Sequence, residues 1–93
     1  MNEKVLNEAR LLIASFIRDR RNELNITQID LAEKCGVSVN TIRNMEAGKF
    51  WPGLKQLLII CNALDLFFFL EAKEGETNLA KQMRERWGKI SKN

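Results

Sequence analysis

The chain has 93 residues, a formal net charge of +3, no histidine and two cysteines, and that length builds one modest core, not two. Without histidine, a phosphate-cradling glycine loop or a metal-ligand cluster, it does not read as an enzyme and implies no cofactor and no metal. No apolar run approaches the ~20 residues of a membrane span and the first ten residues lack the features of an export signal, so a cytoplasmic protein with no membrane partner is expected.

Asn2 can cap a first helix. Val5, Leu6, Ala9, Leu12, Ile13, Phe16, Ile17 and Leu24 follow at three- and four-residue steps, the stripe of one long amphipathic helix. The stretch from Ile26 to Pro52 reads as two short helices joined by a tight turn. Thr27 can cap the first and Ser38 the second, because a hydroxyl accepts an unpaired backbone N–H of the opening turn. Gly36 lies between them, where the chain leaves a helix and needs a positive φ. Leu31, Ala32 and Cys35 share one face of the first helix, and Ile42 and Met45 one face of the second. Small Ala32 lets the two approach closely. This is the grammar of a helix-turn-helix, whose second helix enters a DNA major groove.

Lys49-Phe50-Trp51-Pro52-Gly53 is a loop, and Pro52 suits the entry to a new helix. Leu54, Leu57, Leu58, Cys61 and Leu64 make that helix's apolar stripe, with Ile59 outside it. Both cysteines sit in apolar helical patterns and read as reduced core thiols. Leu66 to Lys73 begins with an apolar run of strand length, and its consecutive phenylalanines favour a strand. No second strand is visible in the chain, so Phe67, Phe68, Phe69 and Leu70 are expected to pair with a second copy across a twofold axis. The alternative is a fifth core helix. Thr77 or Asn78 then caps a last helix with Leu79, Met83 and Trp87 on one edge. The organisation read from these elements is a helix-turn-helix domain over 1–66 and an extension over 67–93, a dimerisation strand followed by a basic helix.

Charge is uneven. Residues 77–93 carry a net of +4, residues 1–76 a net of −1. Phosphate attraction is therefore expected from a local patch, from the tail, or from doubling in a dimer.

Arg21, Ile26, Thr27-Gln28, Leu31-Ala32, Gly36-Val37-Ser38, Thr41-Ile42, Glu46, Gly48-Lys49, Pro52, Leu57, Ile60 and Ala63-Leu64 stand in order at family spacing. Over roughly Ile17 to Leu66 the chain resembles the lambda-repressor-like (Cro-type, XRE) family of DNA-binding domains. The resemblance implies a mainly all-α helix-turn-helix bundle, to which the residue pattern after Leu66 adds a possible short C-terminal strand and a final helix. It also implies that the first, second and sixth positions after Ser38 read bases: Val39, Asn40 and Asn44. Arg43 joins them on the outer face of the helix. Asn suits adenine edges and Arg guanine. Val39 departs from the polar residues usual in relatives, and can only pack on a thymine methyl. The backbone-gripping set is Gln28, Ser38, Thr41 and Lys49. In relatives, the pair matching Arg21 and Glu46 forms a partly buried structural ion pair.

The expected function is a sequence-specific, dimeric transcriptional repressor that binds a near-palindromic double-stranded DNA operator. One rival is an antitoxin that represses its own operon and binds a toxin protein. A second is a protein-interaction module that has lost DNA binding.

Overall fold

A computed structural model describes residues 1–68, 70, 73 and 77–90. Five helices follow in order: α1 (Glu3–Glu23), α2 (Gln28–Cys35), α3 (Val39–Glu46), α4 (Leu54–Ala63) and α5 (Asn78–Ile90). No strand occurs among the described residues.

Each helix begins where a side chain can take a free N–H, except α4. Asn2 Oδ1 accepts from Val5 at 2.9 Å, Thr27 Oγ1 from Asp30 at 3.1 Å, Ser38 Oγ from Thr41 at 3.1 Å and Thr77 Oγ1 from Ala80 at 3.2 Å. Gly53 precedes α4 without a side-chain cap.

The first four helices share one way of ending. A left-handed residue follows the last turn: Asn25 (φ 56°), Gly36 (69°), Gly48 (70°) and Asp65 (54°). The N–H of the next residue reaches back five positions, from Ile26 to Arg21, Val37 to Ala32, Lys49 to Asn44 and Leu66 to Cys61, at 2.8–3.2 Å. This is the Schellman pattern, which satisfies carbonyls that the helix leaves open. Glycine, asparagine and aspartate are the residues that visit this region most readily.

Ile17, Leu31, Ala32, Ile42, Met45, Ile60 and Leu64 form one buried cluster, drawing on α1 to α4. α2 packs closely on α3 and α4, and α1 on α3. Leu31, Ile42, Ile60 and Leu64 are fully enclosed. Truncating any one of them to alanine would cost about 2–5 kcal/mol through lost burial and a cavity.

Several apolar residues lie elsewhere than their stripe suggests. In α1, Ala14 and Ile17 are buried, whereas Leu12 and Phe16 are 61% and 65% exposed. The neighbours cover only one side of a helix whose apolar arc is wider. In α4, Ile60 is fully buried and Leu54 is 62% exposed, because Leu54 stands in the first turn, ahead of the packed region. In α5, Ala80 is buried and Leu79 exposed. Leu66, Phe67, Phe68 and Leu70 adopt neither strand nor helix. The fifth-helix alternative thus fails for them, and the expected strand does not form either, because no strand to pair with occurs among the described residues of the single chain. Phe69 lies outside the described residues.

Candidate nucleic-acid interface

α3 divides cleanly into two faces. Ile42 and Met45 point into the core, and Asn40, Arg43, Asn44 and Ala47 are exposed. Val39 is half-buried and packs on the core cluster, so only part of it remains on the outer face. Arg43 Nη1 donates to Asn40 Oδ1 at 3.2 Å, one turn apart on that face. At the start of α3, the Ser38 and Thr41 hydroxyls lie 2.9 Å apart. Ser38 and Lys49 are exposed and Thr41 is half-buried.

A polar clamp holds the far end of α3. Arg21 Nε donates to Glu46 Oε2 at 2.7 Å and Arg21 Nη2 to Glu46 Oε1 at 2.9 Å. Arg21 Nη1 donates to the Ile26 carbonyl at 2.8 Å. Glu46 is 5% exposed, so this is a desolvated, bidentate pair between α1 and α3. Hydrogen bonding to Glu46 pushes the Arg21 guanidinium up from its ordinary value, and the carboxylate's charge adds to this against the opposing effect of burial. Gln28, in the first turn of α2, donates its Nε2 to Glu46 Oε1 at 3.2 Å. Its side chain therefore belongs to the clamp.

Two arginines that the sequence pattern did not single out brace the same assembly. Arg10 Nε donates to the Gly48 carbonyl at 2.7 Å, just past α3, and Arg20 Nε to the Leu64 carbonyl at 3.0 Å, just past α4. A cation at a helix C-terminus also meets the negative end of the helix dipole. Glycine suits position 48 because of its positive φ of 70°, and a Cβ there would also displace the tip of the exposed Leu11 side chain, 2.5 Å away at Cδ2.

The charge pattern is sharper in space than in the net balance. From Lys34 to Leu64 the only acidic residue is Glu46, and Arg21 neutralises it. Lys34, Arg43, Lys49 and Lys55 are all exposed. The outward charges of this stretch are therefore all positive, while α1 carries both signs and the rest of α2 only acids. A stretch without outward acids suits a polyanionic partner.

A capped helix with an acid-free outer face, set by a buried clamp, defines a DNA-binding helix-turn-helix domain. The chain belongs to the helix-turn-helix family of XRE type, whose family model matches residues 17–66. It is also similar to an uncharacterized HTH-type transcriptional regulator of Methanothermobacter thermautotrophicus (strain Delta H), with 45% identity over 40 residues. That match spans 43% of this chain and 58% of the relative's length. No solved structure gives a significant match.

Proposed function

We propose that the protein is a DNA-binding transcriptional regulator, a homodimeric repressor of the cytoplasm that binds a near-palindromic operator. Each protomer would lay α3 in the major groove of one half-site, with half-sites about 34 Å apart. Asn40, Arg43 and Asn44 would meet base edges and Val39 a thymine methyl, while Gln28, Ser38, Thr41 and Lys49 would hold the backbone. The observation that carries this reading is the outer face of α3, which is exposed, polar and free of acids.

The dimer has its own support. Leu12, Phe16, Phe67 and Leu70 are each more than half exposed. Leu12 and Phe16 share a groove with Leu66, Phe67 and Phe68. A contiguous apolar surface of this kind marks an interaction site, and a second copy covering it would also supply the second half-site. Selection of bound sequences from random DNA tests the whole reading. Enrichment of a two-fold symmetric site is expected, and no enrichment would leave only a protein-interaction role. Sedimentation of the full chain tests the dimer.

A further inference from the structure

We propose that the outer side of α4, centred on Ile59, is a docking site for an acidic, amphipathic helix of a partner protein. This goes beyond the DNA-binding reading and does not depend on it. Ile59 lies off the apolar stripe of α4 and is 41% exposed, although an apolar side chain gains by burial. It lines both of two hollows. One, of about 540 Å³, is floored by Leu58, Ile59, Ala63, Trp87 and Ile90, between α4 and α5. The other, of about 490 Å³, lies between the turn of Cys35, Gly36 and Val37 and the start of α4. Together they make a trough beside α4, whose ten residues set a length of ~15 Å, nearly three helical turns. The groove assigned to the dimer lies elsewhere, against Leu57 and Cys61 of the same helix.

Shape selects a helix. No strand occurs among the described residues, so an extended peptide finds no edge to pair with. A helix satisfies its own backbone and needs only an apolar face to set against Ile59, Trp87 and Ile90. The rim lets it come close: a Cβ on Gly36 or Gly53 would meet nothing. Gly53 has a φ of −66°, which any residue adopts, so the backbone does not demand glycine there. Its choice leaves α4 without a side-chain cap and the space above it open.

Charge decides the rest. Lys34 lines the first hollow and Lys55 the second, both exposed, and no carboxylate lines either. The uncapped N–H groups that open α4 add a positive end to the same rim. A basic helix would be repelled here, whereas Glu or Asp flanking an apolar stripe matches both the rim and the floor. A duplex matches only the rim, because its strands bring no apolar anchor to Ile59.

The test uses the full chain and a labelled designed peptide, long enough to be helical alone, with leucines at i, i+3, i+4 and i+7 and glutamates on its other face. A scrambled peptide of the same composition should bind about tenfold more weakly or worse, and one with lysines for the glutamates should not bind. Ile59→Glu should weaken the patterned peptide about tenfold or more, and Lys34→Glu and Lys55→Glu about three- to tenfold each. Ile59→Ala, expected to cost about three- to tenfold, serves if the glutamate variant fails to fold. The peptide should also slow modification of half-buried Cys35, which lines the trough. Equal affinity for patterned and scrambled peptides, unchanged affinity in both Ile59 variants, or unslowed Cys35 modification would overturn the docking site. Loss of binding in Arg43→Ala but not in Ile59→Glu would put the peptide on α3, and loss of self-association in Ile59→Glu would give this face to a second copy; either result overturns the inference. Site preference on DNA should be the same in Ile59→Glu as in the parent, so the docking site and the DNA reading fail separately.

Discussion

Gln28 Nε2 donates to Glu46 Oε1 at 3.2 Å, on the oxygen that also takes Arg21 Nη2 at 2.9 Å. One carboxylate thus ties the N-terminal turn of α2 to the end of α3 and to α1. Removing Arg21 would strand a buried negative charge, so Arg21→Ala should destabilise the fold by about 3–5 kcal/mol. Gln28→Ala should cost less, on the order of 1–2 kcal/mol, since Arg21 still satisfies the carboxylate. A double-mutant cycle on Gln28 and Glu46 by denaturant unfolding should show coupling. Strictly additive effects would mean that the two side chains do not interact in solution.

Base reading separates from backbone grip by specificity. Asn44→Ala and Asn40→Ala should each lower the ratio of specific to nonspecific affinity by about 1–3 kcal/mol. Gln28→Ala should weaken all duplexes more evenly. Gel shifts with a selected site and a scrambled one measure both. An unchanged ratio in both asparagine variants would remove the base-reading role from this face.

The four left-handed helix ends make an internally controlled set. Gly36→Ala should lose about 1–2 kcal/mol from its φ of 69° alone, since a Cβ there meets nothing. Gly48→Ala should lose at least as much, because Leu11 must also swing aside. Asn25→Gly and Asp65→Gly relieve strain and should gain less than about 1 kcal/mol. Thermal unfolding of the four variants gives the ranking, and a Gly48→Ala variant as stable as the parent would contradict the geometry.

The thiols bear on alkaline stability. Burial pushes both Cys35 and Cys61 above the ordinary value of 9.0, with Lys34 partly offsetting it at Cys35. The folded state therefore keeps protons that the unfolded chain releases. This contribution is fully present below about pH 9 and is lost as pH rises through the folded values. Half-buried Cys35 should react with a thiol reagent before buried Cys61. Equal rates under native conditions would show that Cys61 is reached without unfolding.

Local signals in the sequence carried much of this fold. Asn2, Thr27 and Ser38 cap helices from within three residues, and Gly36 turns where its neighbours require it. The inward face of α3 follows from periodicity alone. What the pattern did not expose acts at a distance. Arg10 and Arg20 reach carbonyls 38 and 44 residues away, and no local rule selects which arginine on a helix will do so. Leu12, Phe16 and Leu54 carry helical periodicity, but burial depends on which neighbours arrive. The positive surface was hidden because a net charge counts Glu46 like any other acid, whereas its ion pair with Arg21 cancels it. The apolar run after Leu66 could not be decided from residue type, since a ladder needs a second strand and none occurs among the described residues.

The division of α3 into two faces also bears on how the protein can change over time. Asn40, Arg43 and Asn44 contribute nothing to the core, so under the proposed binding mode new side chains there would alter the preferred operator without a folding penalty. Val39 is different: it touches the interior, and a replacement that improves recognition would have to preserve packing as well. Divergence in target choice among descendants of this chain should therefore run through the first three positions and only rarely through the fourth.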